Sequence, residues 1–316
     1  MMTKRCFSLL AFALLSTSCY RVPDQIEPKV DSYVQDRYLT SLPSPFPPLT
    51  SEEKIQDWGK EYQIALLFAR EMDLYQAITA FKRASFLLPS EHKQRKEEID
   101  YEILLCYYVG KKYSEVIYTY EHSSLRFAGT QFSACEDLLI ILYDCYTQEQ
   151  DTENANRFLQ YIQTYYPETA KKLQVATDLR KADLASLKTI AQDPEYLAVK
   201  NFLETYDRTK KSIAKAQTLN AFLPGAGYLY LGQKQTAITA ALINGLFIGA
   251  SYYFFQAGNI PAGVIFTTFE AGWYFGGIYG AGEEAKFYNE RIYEALVTPM
   301  MNHSKMFPVF MISHAF

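Results

Sequence analysis

Apolar residues recur at three- and four-residue intervals through residues 53–217, and from residue 235 they close into an almost unbroken run. The first pattern predicts amphipathic helices, because residues three and four apart share one helix face. The second predicts membrane spans. From residue 235 to 282 the only formal charge is Glu270, and the run divides at Gly258, Asn259, Ile260 and Pro261. A helix needs roughly 20 apolar residues to cross about 30 Å of hydrocarbon. Residues 236–258 and 260–282 both meet that length, and neither alternates with the period of two that a strand requires. The expectation is two spanning helices joined by a tight turn, against the alternative of a buried hairpin in a soluble core.

Small residues repeat along both segments: Ala237, Ala241, Gly245 and Gly249 in the first, Gly272, Gly276 and Gly280 in the second. Four-residue spacing flattens one helix face and lets backbones approach closely in lipid. These ladders predict the face that joins the two helices, or that joins copies of the hairpin in a homo-oligomer. Glu270 is costly at such a depth, where a carboxylate faces a partner or a cavity. Asn244 lies on the opposite helix about 6 Å deeper, which suggests a hydrogen bond between protonated Glu270 and Asn244; the plainer alternative is a protonated packing residue. Ahead of the first segment, Pro224, Gly225 and Gly227 sit among Tyr228, Leu229 and Tyr230 and predict an interfacial or re-entrant corner.

The runs LPGAGYLYLG, LINGLFIGASYYFF and FEAGWYFGGIYGAGEEAKFYN resemble a bacterial membrane module in which a Pro-Gly-x-Gly corner precedes a helical hairpin, loosely similar to the TM2-type domains. The resemblance covers residues 218–290. It implies membrane lipid as a partner and helical repeats upstream, and implies no particular activity.

Upstream, Ala77, Phe81, Ala84 and Pro89 return about 39 residues later as Val116, Tyr120, Ser123 and Ala128, then as Ala155, Leu159, Ile162 and Pro167. With Trp58, Ala65 and Phe68, this spacing resembles tetratricopeptide repeats lengthened by an insertion, which the polar run 91–98 would supply. The resemblance implies small residues (Ala65, Ala77, Ala84, Ala155) where paired helices cross and large ones (Phe68, Phe81, Leu159) between pairs. It also implies a groove for a protein partner. Two departures stand out: Ala128 replaces the closing proline, and Tyr143 stands where a small residue is wanted. Residues 169–217 predict capping or linking helices. Lys210, Lys211 and Lys215 there would meet anionic headgroups at about 1 kcal/mol each, or lie on a solvated face.

At the front, Lys4 and Arg5 precede a short apolar stretch, as in a secretory signal (residues 1–18). The residues ending at Cys19 resemble a bacterial lipobox with Cys19 as the lipidated residue, although Ser16 replaces the usual aliphatic residue. Ordinary cleavage and an uncleaved anchor are the alternatives. Prolines through residues 19–50 predict an extended tether. The signal places the repeats outside the cytoplasm, whereas the lysines flanking the first span favour the cytoplasm; the signal is given more weight.

Lys and Arg number 31 against 35 Asp and Glu, so no electrostatic footprint for nucleic acid appears. The four histidines are scattered, no catalytic or phosphate-binding motif occurs, and no cofactor, metal or enzymatic role is expected. Cys106, Cys135 and Cys145 predict free core residues, since Cys135 and Cys145 would lie about 15 Å apart on one helix. Residues 291–316 form a tail whose apolar end, 306–316, predicts a disordered terminus; adding a strand to a partner and lying on the membrane are the alternatives. The resulting expectation is an all-α chain, a tetratricopeptide-like solenoid (51–168) followed by a two-helix transmembrane hairpin, anchored in the bacterial envelope with its repeats in the periplasm. Its expected work is that of a scaffold with a protein partner in the repeat groove. The alternative is an oligomeric, channel-like membrane component.

Overall fold

The computed structural model describes residues 21–31 and 36–316. Cys19 and the signal-like residues lie outside the described residues. The regular elements among those described are all helices, with no strand among them. The chain divides into two compact units: residues 31–178 with 300–316, and residues up to 30 with 179–299.

The first unit opens with short helices α1 (Asp36–Thr40) and α2 (Ser51–Ile55), the latter started by a Thr50–Glu53 capping box. Antiparallel pairs follow: α3 (Asp57–Arg70) with α4 (Leu74–Leu87), α5 (Lys93–Val109) with α6 (Tyr113–Glu121), and α7 (Cys135–Gln148) with α8 (Thr152–Tyr165). Helix α9 (Pro167–Lys181) comes next. The repeat seen in the sequence reappears in the turns within the pairs. Met72, Lys111 and Gln150, each 39 residues from the next, are left-handed at φ 61°, 55° and 61°. The following residue sends its N–H back to a carbonyl five positions earlier, as in Asp73 to Phe68, Lys112 to Tyr107 and Asp151 to Tyr146. The same turn closes helices elsewhere in the chain, at Gly232, Gly258 and Lys305, so what recurs among these pairs is the 39-residue spacing rather than the turn itself.

Ala65, Ala77, Phe81 and Ala84 are fully buried and Ala155 nearly so. Phe68 and Leu159 are half-buried. In the third pair Phe158 takes the buried position one residue earlier than expected and stacks on Tyr146 at 5.4 Å. Tyr143 is buried with its hydroxyl against Thr177. The three described cysteines are free and buried.

The polar run 91–98 is helical from Lys93, where α5 begins and draws Arg95 and Glu98 into the interior. One expectation for this unit fails. The tail is ordered: α16 (Pro308–Met311) follows a turn at Lys305, and Phe307, Val309, Ile312, Ala315 and Phe316 are buried. Its apolar residues find a covered surface within the unit, which offsets the entropy of ordering them.

The second unit contains α10 (Leu184–Ile190), α11 (Leu197–Thr209), α12 (Ile213–Phe222), α13 (Ala226–Tyr230), α14 (Lys234–Gln256) and most of α15 (Ile260–His303). The chain reverses at Gly258 and Asn259, and Phe254 meets Phe266 at 5.2 Å across the two long helices. Among the described residues one helix, α14, is long and apolar enough to cross a membrane, with a mean hydropathy of 1.5. The second expected span fails that measure, because Glu270, Trp273, Tyr274 and six glycines dilute its aliphatic residues. Helix α15 also continues past Gly282 as a charged, soluble-type segment. There Tyr293 is fully buried, packs edge-on against Phe202 and Tyr206, and donates to the Leu179 carbonyl.

The described part of the expected tether is packed rather than extended free in solvent. Val22 joins Ile213, Ala216, Leu231 and Ala285 in a core of the second unit. Glu27 and Lys29 donate backbone N–H groups to Glu290 and Glu294. Further on, Leu39, Phe46 and Leu49 are buried in the first unit.

Candidate functional site

In the helical-pair unit, α5 is buried continuously from Glu98 to Cys106, and α7 from Ile140 to Tyr146. A helix buried all round has no face left open. Part of the cover comes from residues 38–49: Phe46 sits 5.6 Å from Tyr101 and 5.7 Å from Phe132. Arg95 ties that segment down by donating to the carbonyls of Pro47 and Pro48. The same guanidinium pairs with Glu53 at 2.9 Å and Glu98 at 2.6 Å. Arg95 holds the Glu53 carboxyl below its ordinary range, chiefly through hydrogen bonding. Burial pushes Glu98 up despite Arg95.

Besides its neighbouring helices, the tail covers α7. Asp137, 2% exposed, accepts from the backbone N–H of Ser313 and His314 and from the His314 ring at 2.8 Å. Burial raises the Asp137 pKa, and the Ser313 N–H and the His314 ring pull against the rise. Tyr38 donates to the Phe310 carbonyl at 3.0 Å and packs edge-on against its ring. Ala315 donates to the Pro43 carbonyl, and Arg70, at the end of α3, reaches the main-chain oxygen of Phe316. Near this face Glu102 is fully buried with neither oxygen hydrogen-bonded. Burial and then the charge of Glu98 drive its pKa well up, against the pull of Arg70.

In the second unit the corner is tight, as Pro224, Gly225 and Gly227 predict. Gly225 is left-handed at φ 94°, and a methyl group there would overlap the Ala237 carbonyl. One at Gly227 would overlap the Ala216 carbonyl and press on Ala281. Buried Asn220 accepts from the Gly225 N–H at 2.8 Å, and Tyr274 donates to the Ala221 carbonyl. A cleft of about 310 Å³ opens beside the corner, with Asn220, Tyr228, Asn244, Gly272, Trp273 and Gly276 among its walls. Asn244 is buried, but its amide donates to the Ala240 carbonyl of its own helix and its Oδ1 has no partner. Glu270 likewise has a buried Oε2 without a partner. The expected bond between Glu270 and Asn244 is therefore not made, since the depth offset between them is left unbridged.

The small-residue ladders divide. Ala237 and Gly280 sit against the corner, where a methyl at Gly280 would press on the Tyr228 hydroxyl. Ala241 is exposed, and methyl groups at Gly245, Gly249, Gly272 and Gly276 would meet no other atom within 4 Å among the described residues. Phenylalanine pairs (Phe247 with Phe266 and Phe269, Phe254 with Phe266) and Gly263 seated against Phe255, rather than the ladder glycines, join the two long helices. Lys210 pairs with Asp207 at 2.7 Å, while Lys211 and Lys215 lie over the Tyr230 ring at 5.0 and 4.9 Å.

Sequence reasoning missed Arg95, Asp137, Asn220 and Tyr293 as anchors. Asp137 carried a readable signal, an acid directly before the apolar stretch 138–143. Among the described residues no cluster of three or more His, Cys, Asp or Glu side chains could hold a metal ion. Comparison with known families, curated proteins and solved structures gives no match for this chain.

Proposed function

We propose that this chain is a membrane-attached scaffold of the bacterial envelope whose tetratricopeptide-like helical pairs hold a protein partner. Helix α14 carries the reading: it is apolar along its length, yet only 11% of its most apolar stretch is buried. Ile238, Leu242, Leu246 and Ile248 all stand more than half exposed. Apolar surface on that scale marks a membrane or protein contact, and lipid covers a helix of this length. The repeated pairs supply the binding region, because stacked helix pairs present extended surfaces to partners. The signal-like front end favours the side away from the cytoplasm. Photo-crosslinking residues placed at exposed Tyr75 and Tyr118 in intact cells should yield one dominant protein adduct; adducts with lipid or with the chain itself alone would end this reading.

A second reading, an oligomeric channel-like component, is favoured by one observation. Gly245, Gly249, Gly272 and Gly276 are open to a neighbour, and Glu270 is left with an unpaired oxygen. On this reading Glu270→Gln changes oligomer size in detergent or ion leak from vesicles, and a variant unaltered in both assays removes it.

A further inference from the structure

Residues 306–316 lie on the helical-pair unit in the manner of a bound peptide. Beyond α16 the chain is extended, and its polar backbone groups are met by residues far away in sequence. Ser313 and His314 N–H groups go to Asp137 at 2.9 and 3.1 Å, and the Ala315 N–H goes to the Pro43 carbonyl at 3.0 Å. The Phe310 carbonyl is met by Tyr38, and the Phe316 oxygen by Arg70. Between these points Phe307, Val309, Ile312 and Phe316 bury their side chains. Most of the polar contacts are to backbone atoms, so they select an extended conformation rather than one sequence; apolar shape supplies the selectivity. Asp137 adds a constraint of its own. With its carboxylate 2% exposed, it needs N–H donors whenever this face is covered, because a buried unpaired charge is costly.

We propose that residues 306–316 are a resident occupant of a peptide-receiving face. The same face takes from a protein partner an extended apolar and aromatic segment that offers two consecutive backbone N–H groups to Asp137. This rests on the scaffold reading and adds to it the class of partner and a gate. A tethered segment competes at an effective concentration in the millimolar range, so the partner gains access only when the tail leaves. The left-handed turn at Lys305, followed by Met306 donating to the Met301 carbonyl, is where the tail would swing.

The test uses the chain in detergent micelles and a fluorescent synthetic peptide, MFPVFMISHAF. Saturable binding is expected to a chain ending at Lys305, at least tenfold weaker binding to the full chain, and at least tenfold loss when Asp137→Asn is added to the shortened chain. Equal binding to both chains, or none to a shortened chain that keeps its helical circular dichroism, overturns the proposal. Should the shortened chain not fold, hydrogen exchange on the full chain decides. Asp137→Asn should speed exchange at Ser313 and His314 at least tenfold while α5 stays protected, and unchanged rates overturn the proposal. Peptide binding without any crosslinked partner in cells would remove the scaffold reading and leave the peptide face standing.

Discussion

Replacing Arg95 by methionine should destabilise the helical-pair unit by about 3–5 kcal/mol at neutral pH, the usual consequence of removing one partner from a buried ion network. Arg95 bridges Glu53, Glu98 and two carbonyls of the segment that covers Tyr101. Its loss strands Glu98, whose side chain is 1% exposed. The pH dependence follows from the two carboxylates. Burial raises Glu98 above its ordinary 4.5, so Glu98 takes up a proton on folding. Its penalty is absent below that pH and grows as the pH rises through it, more so once Arg95 is gone. Glu53, held low by Arg95, contributes stability above 4.5 that the variant also loses. Both effects make the variant weakest at pH 7 and closest to the parent near pH 4. Thermal unfolding followed by circular dichroism in micelles at the two pH values reads this directly. Adding Glu98→Leu should recover most of the loss at pH 7. An Arg95→Met protein within 1 kcal/mol of the parent at pH 7 would show that the network is solvated.

The course of the chain was legible wherever a local rule decided it. The 39-residue step reappears as left-handed turns at Met72, Lys111 and Gln150, and glycine and asparagine mark the reversal at 258–259. Gly225 and Gly227 announce a corner that backbone crowding then requires. What was not legible depended on partners distant in sequence. The charges of residues 91–98 read as a polar insertion, and nothing local tells that Glu53 and the carbonyls of Pro47 and Pro48 surround Arg95. Proline-rich residues 21–50 read as a tether because their few apolar side chains are widely spaced, yet Val22, Ile26, Leu39 and Phe46 each find a pocket. The glycine ladders describe a flat face, and regular spacing says nothing of whether the chain itself or a second copy covers it.

Leu242→Arg combined with Leu246→Arg should remove the protein from the membrane, and this pair tests the assignment of α14 more sharply than any change in the cleft. Both leucines are about two-thirds exposed, at 68% and 66%, and lie near the middle of a 23-residue helix. If that surface faces water, each substitution changes stability by no more than about 0.5 kcal/mol. If it faces hydrocarbon, each arginine costs about 3 kcal/mol at the centre of a span, roughly 6 kcal/mol for the pair. The two environments thus differ by more than the uncertainty in either figure. In the parent, alkaline carbonate should leave the chain in the membrane pellet; the double variant should be released or degraded. Ile55→Arg, at a position 72% exposed in the other unit, serves as the control and should stay in the pellet. A double variant that remains membrane-bound and as stable as the parent would mean that the face of α14 carrying Leu242 and Leu246 meets water, and that another part of the chain holds the protein at the membrane.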